Sequence, residues 1–288
     1  MRWSAGDRSN IEDMRGRSGR GGGMIPLGIG GFIVVALLSM FTGVNFFDIL
    51  GGGSSSPDSS SVGTSGSGSV TASPSEERLV DMMDAVARDA QSVWSEKLGG
   101  RYEQTKVVLF RDSIQSACGY AGAATGPFYC PGDHKVYLDL GFFDELDRRF
   151  GAPGDFAQAY VLAHEIGHHV QTLLGTEGQM RQMQRSNPGS ANALSVRLEL
   201  QADCYAGVWG HEAAKSGRAA AGGVELDPGD MEEALRAATA IGDDRLQKLG
   251  TGRVMPEKFT HGSSEQRVTW FKRGFDSGDP RACDTFQQ

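Results

Sequence analysis

His164-Glu165-Ile166-Gly167-His168 constrains this chain more than any other run in it. On an α-helix, residues i and i+4 stack on one face, so both imidazoles can converge on a single ion. Glu165, about a hundred degrees around the helix, can reach a water on that ion without ligating it. Two nitrogen ligands, one carboxylate base and an open position are the minimum for hydrolysis at a metal. The reading requires a helix, and the flanks supply one. Asp155 after Pro153-Gly154 is the expected N-cap, apolar or small residues recur at threes and fours from Phe156 to Leu174, and Gly175 ends the run. Gly167 inside that helix costs about 1 kcal/mol relative to alanine, which predicts close approach of another element there.

A two-histidine site needs a third protein ligand. Gln171 and Leu174 stand where the glycine and third histidine of a longer HExxHxxGxxH motif would fall. The ligand is therefore expected from a second helix, and the proline-free stretch from Ala191 to about Ala214 carries Glu199 and Asp203 at i and i+4. Glu199 is the expected third zinc ligand beside His164 and His168. Asp203 is expected to accept a hydrogen bond from the far nitrogen of His164 and so fix its tautomer. Glu177 is nearer in sequence but falls in a Gly-rich turn, Gly175 to Gly178, and is the weaker choice.

HEIGHH followed by RLELQADCYAG (Arg197–Gly207) resembles the zincins that use glutamate as third ligand. More closely, the chain resembles the bacterial neutral zinc metallopeptidase family, the YpfJ-like proteins. The likeness extends through GPFYCPGDHKVYLDLGFFDEL (Gly126–Leu146), IGDDRLQ (Ile241–Gln247) and THGSSEQRVTWFKRGF (Thr260–Phe275). It implies an α+β zincin-like metallopeptidase domain with Zn2+ as cofactor and a protein or peptide as substrate. By similarity to membrane zincins of the CaaX-processing type, His261 would donate to the oxyanion of the tetrahedral intermediate, and Arg267 would hold Asp203 or another carboxylate. Those relatives carry proline where this chain has Gly262. Zincins bind substrate along an edge strand beside the metal helix; Lys135 to Leu140 alternates as a strand should, so Val136, Tyr137 and Leu138 are the expected edge.

The remainder of the chain sets context. Met1 to Gly23 carries Arg2, Arg8, Arg15, Arg17 and Arg20 against Asp7, Glu12 and Asp13. Met24 to Phe47 then runs without a charge, about 36 Å as a helix and long enough to cross a lipid bilayer. It lacks an A-x-A cleavage pattern, so an uncleaved single-pass anchor is expected, with a cytoplasmic basic tail and the rest outside the cytoplasmic membrane. A Gly/Ser-rich linker, residues 48–74, follows, and Ser73-Pro74-Ser75-Glu76 is a capping box that opens the catalytic domain, residues 75–288. Net charge is −8 with a positive tail, so the domain is acidic, which argues against nucleic acid as a partner. The four cysteines lie in that domain without CxxC spacing. Outside the membrane an even number implies disulfides, and adjacent pairing, Cys118–Cys130 and Cys204–Cys283, is the expected one of three connectivities. Nothing in the sequence specifies an oligomeric state. A rival class is a non-catalytic envelope scaffold with zinc as a structural staple. A saturated four-ligand site would mark it, and the sequence offers three.

Overall fold

Ser73 starts the first helix as its pattern dictates: its hydroxyl accepts the Glu76 N–H at 3.2 Å, and α1 runs Pro74–Leu98 to a stop at Gly99. The computed structural model describes residues 1–16, 72–122 and 125–287. Its class is mixed α+β. The main sheet has the order β1 (Ile11–Asp13), β2 (Lys106–Phe110), β6 (Lys135–Asp139), β5 (Phe128–Cys130); β1–β2 and β2–β6 are parallel and β6–β5 antiparallel. Alternation along the two central strands serves two cores. Val107, Leu109, Val136 and Leu138 face the helices, while Val108, Phe110 and Tyr137 face a smaller cluster. The hairpin of β3 (Ser113–Ser116) and β4 (Gly119–Gly122) contributes Ile114 and Ala121 to that smaller cluster, and the Cys118–Cys130 disulfide ties its turn to β5.

Beyond the sheet come α2 (Gly141–Arg148), α3 (Asp155–Leu174), α4 (Thr176–Ser186), α5 (Ala191–Ala213), α6 (Asp230–Ala240), α7 (Asp243–Thr251) and α8 (Ser264–Ser277). The central pair, α3 and α5, is buried over most of its length, with Phe156, Tyr160, Trp209 and Trp94 of α1 filling the core. Helices α5 and α8 approach with no room for a side chain between them. A Cβ at Gly207 would lie 2.0 Å from the Phe271 carbonyl oxygen, and one at Gly274 would lie 1.9 Å from that of Cys204. The Cys204–Cys283 disulfide then pins the C-terminal turn to α5.

Three sequence expectations are corrected here. Val136 and Tyr137 of β6 do not lie at an edge: they pair with β2 on one side and β5 on the other, and the outer strand on that flank is β5, whose pairing stops before Leu138. The alternation of β6 could not reveal this, because interior and edge strands with both faces covered carry the same pattern. Glu177 does not lie in a turn; Gly175, at φ 78°, ends α3 and α4 begins at once, placing Glu177 in its first turn against Thr172 and Arg181. The basic tail is not a separate unit over residues 1–16. Ile11 to Asp13 pair with Val107 to Leu109, Arg8 binds Glu77 and Asp81, and Arg15 is buried among Asp13, Glu76 and Glu77. Of the arginines that marked the tail, Arg8 and Arg15 are matched to acids on α1 and Arg2 to Glu225 and Asp227, while Arg17 and Arg20 lie outside the described residues. The apolar run Met24–Phe47 and the linker up to residue 71 lie outside the described residues, among which no helix is long and apolar enough to cross a membrane.

Candidate metal centre

Helix α3 crosses α5 at Gly167. A Cβ there would stand 3.0 Å from the Ala202 carbonyl oxygen and 3.1 Å from its Cα, so glycine is what lets the two backbones approach this closely. The crossing sets His164 and His168, on adjacent turns of α3, against Glu199 and Asp203, which bracket Ala202 on α5. His164 Nε2 lies 3.1 Å from Glu199 Oε2 and 3.2 Å from His168 Nε2, and His168 Nε2 lies 3.6 Å from Glu199 Oε1. A tetrahedral zinc with bonds near 2.0–2.1 Å separates its ligand atoms by about 3.3 Å, so the spacing fits.

The outer nitrogens decide what faces inward. His164 Nδ1 is 2.8 Å from Asp203 Oδ1, an acceptor, and His168 Nδ1 is 2.8 Å from Gln171 Oε1. The Gln171 amide cannot be reversed, because its Nε2 donates to the Leu198 carbonyl at 2.7 Å. Both Nδ1 atoms therefore carry a proton, so Nε2 is the atom of each ring that faces the Glu199 carboxylate and the one a metal would take on displacing a proton. Two ring nitrogens and a carboxylate converging in a buried site call for positive charge between them, as ring protons or as a metal ion. A second acidic group, Asp155, Asp230 and Glu233, surrounds the Met1 amino group and offers oxygen alone.

The surrounding charges set the protonation of the groups around the site. Burial would raise the Asp203 carboxyl, but Arg267 and His164 outweigh it and hold it down to about 2. Arg267, on α8, donates Nε to Asp203 Oδ2 at 2.8 Å and Nη2 to Oδ1 at 2.9 Å, and Tyr160 donates its hydroxyl to Oδ1 as well. Burial also works against the charged ring of His168, yet Glu199 and Glu165 push it up to about 10. Glu199 in turn is held well below the usual carboxylate range, chiefly by His168 and His261 against the cost of burial. Glu165 behaves oppositely: desolvation raises it despite the nearby histidines, and no hydrogen bond ties down its carboxylate among the described residues.

His261 stands across from Glu199 in a loop organised by Asp243, the second residue of a helix-opening Gly242-Asp243 pair. Asp243 Oδ2 accepts the backbone N–H groups of Thr260, His261 and Gly262 at 2.7, 2.7 and 3.1 Å, while Oδ1 lies 3.3 Å from His261 Nδ1. An acceptor at Nδ1 puts a proton there, so Nε2 carries a free N–H only in the charged ring; burial works against that form, but Glu199 and Asp243 outweigh it and raise the His261 pKa. Gly262 adopts φ 93°, which proline cannot reach, so this loop differs in geometry from relatives with proline there. The same segment caps α8 through Ser263 and Gln266, so the loop serves both the helix and the histidine.

Comparison with known proteins agrees with this geometry. A family model described as "Putative neutral zinc metallopeptidase" matches residues 1–286. The chain belongs to this family. It is 46% identical to the YpfJ protein of Escherichia coli (strain K12) over 298 residues, 99% of each chain. It is also 46% identical to the Rv2575 protein of Mycobacterium tuberculosis (strain ATCC 25618 / H37Rv) over 206 residues, 70% of this chain and 69% of that one. No solved structure matches it significantly. Membership implies zinc and a peptidase role, and the one site with a mixed nitrogen and oxygen donor set among the described residues is His164, His168 and Glu199.

The sequence missed Asp243, Gln171 and Tyr160. Asp243 and Tyr160 carry no local signal, because their partners are 18 and 43 residues away. Gln171 had one: it is i+3 from His168 on the same helix face.

Proposed function

We propose that this protein is a zinc endopeptidase that hydrolyses peptide bonds in protein or peptide substrates, using His164, His168 and Glu199 as ligands and Glu165 as general base. The observation that carries the reading is the convergence of two Nε2 atoms and a carboxylate at metal-ligand spacing, both rings oriented from outside, beside a buried carboxylate with no hydrogen-bond partner among the described residues. Bound in that triad, zinc supplies the Lewis acidity that polarises a carbonyl and brings an attacking water into the pKa range near 7. Glu165 takes the proton of that water and passes it to the leaving amine; its raised pKa suits both halves of the transfer. His261 in its charged form, held at Nδ1 by Asp243, donates from Nε2 to the oxygen that gains charge as the carbonyl becomes tetrahedral. An extended substrate adds to the outer side of β5, Phe128–Cys130, in place of the β6 segment expected from sequence.

Met24–Phe47 is read as a membrane anchor, with activity outside the cytoplasmic membrane. With β1 paired to β2, a single crossing by that segment with the N-terminus in the cytoplasm would require β1 to leave the sheet. Elemental analysis of the purified protein, paired with digestion of an unstructured protein by wild type and Glu165→Gln, tests the catalytic reading. Stoichiometric zinc in both, with cleavage lost only in the variant, is expected; equal cleavage by the two overturns the mechanism. Cysteine labelling at Ser4→Cys from either side of sealed cells tests the topology.

A further inference from the structure

A line of hydrogen bonds runs from His168 to the C-terminal end of the chain. His168 Nδ1 meets Gln171 Oε1 at 2.8 Å; Gln171 Nε2 donates to Gln201 Oε1 at 3.1 Å; Gln201 Nε2 donates to the backbone carbonyl of Cys283 at 2.9 Å. Gln171 and Cys283 are fully buried and Gln201 nearly so. Cys283 is fixed to α5 by its disulfide to Cys204, and the next turn of the tail is latched there too, Thr285 Oγ1 donating to the Arg197 carbonyl at 2.7 Å.

The direction of this line has a chemical consequence. A peptide carbonyl only accepts, so Cys283 obliges Gln201 to point its amide nitrogen outward and its oxygen toward Gln171. That oxygen, together with the Leu198 carbonyl, obliges Gln171 to point its own oxygen at His168. An acceptor at Nδ1 puts the ring proton there and leaves Nε2 open to a metal; an amide turned the other way would put the proton on Nε2 and close it.

We propose that Gln171 and Gln201 are positioning residues, and that the disulfide-held carbonyl of Cys283, acting with the Leu198 carbonyl on Gln171, sets the polarity through which they keep His168 in its metal-binding tautomer. The proposal rests on the zinc reading of the triad. It gives the Cys204–Cys283 bridge a role in metal retention beyond stapling the tail, and it explains why two glutamines are buried in line behind one ligand.

The test is zinc affinity of the full-length protein in detergent, measured by chelator competition, with the visible spectrum of the cobalt(II) form as a report on ligand geometry. Gln171→Met keeps the length and removes the amide, and should weaken zinc binding about tenfold to a hundredfold. Gln201→Met, one link further, should weaken it at least threefold. Gln201→Glu still presents an oxygen to Gln171 and cannot donate to Cys283, so it should stay within threefold of wild type and retain the wild-type cobalt spectrum. That contrast separates polarity from packing, because both Gln201 variants break the bond to the tail. Zinc affinity within twofold of wild type for Gln201→Met, or equal losses in Gln201→Met and Gln201→Glu, overturns the relay. Should Gln171→Met fail to fold, the Gln201 pair decides alone. Wild type that binds no zinc overturns the metal-site reading itself, and the relay with it.

Discussion

Arg267→Met isolates the charge that stabilises the site from behind. The side chain is almost fully buried, its two hydrogen bonds to Asp203 measure 2.8 and 2.9 Å, and Asp203 is completely buried. Methionine fills much of the same space, so the loss is chiefly electrostatic. Asp203 keeps Tyr160 and His164 as donors but no longer has a permanent cation, and removing one partner of such a pair costs about 3–5 kcal/mol. Against a total stability of about 5–15 kcal/mol this is a large fraction. The pH dependence provides a sharper signature. In wild type, burial raises the Asp203 carboxyl but Arg267 and His164 pull it down to about 2, below its unfolded value near 3.9, so its contribution is present above pH 4 and is lost as pH falls toward 2. Without Arg267 the burial contribution gains weight and the folded pKa rises. Protonation then costs the folded variant less than it costs wild type, so the stability deficit should narrow as pH falls from 7 to 4. Urea unfolding of the zinc-free protein, followed by tryptophan fluorescence, measures both quantities. Adding Asp203→Asn to Arg267→Met removes the stranded charge and should recover about 1–3 kcal/mol. A deficit under 1 kcal/mol at pH 7, or one unchanged down to pH 4, would refute the argument.

Zinc must displace protons from His168, pushed up to about 10 chiefly by Glu199 against the opposing effect of burial, and from His164, which is also raised. Apparent zinc affinity should therefore rise about ten- to a hundredfold per pH unit between pH 6 and 8, read by chelator competition; a flat profile would remove these rings from the ligand set. His261→Ala and Asp243→Asn should both retain zinc, with His261→Ala lowering kcat about a hundredfold and Asp243→Asn less, and KM changing little in steady-state peptide cleavage. Gly274→Ala places a methyl group 1.9 Å from the Cys204 carbonyl oxygen and should cost at least about 2 kcal/mol, because a backbone atom cannot yield as a side chain does. Gly178→Ala, with open space around it in α4, should be neutral or stabilising by up to about 1 kcal/mol, both variants being read by the same urea unfolding.

What could be read in advance was what repeats locally. The His164–His168 spacing, the Glu199–Asp203 spacing, the Ser73 cap and the cost of a mid-helix Gly167 each depend on neighbours within a turn or two, and helical periodicity carries such information directly. Strand order is a different kind of fact. The pattern of Lys135 to Asp139 says that both faces are covered but not which strand lies beside it, and the edge proved to be the three-residue β5, too short to show a period. The partners of charges are long-range in the same way. Arg2, Arg8 and Arg15 before an apolar run have the pattern of a cytoplasmic flank, yet their acidic partners sit at Glu225 and Asp227, at Glu77 and Asp81, and at Glu76 and Glu77. A parallel strand needs its partner delivered from elsewhere in the chain, so β1 gives no hairpin signal that would tie it to β2. The family match from residue 1 agrees with its place in the fold: the first sixteen residues complete the sheet on whose other flank, at β5, the substrate is proposed to bind.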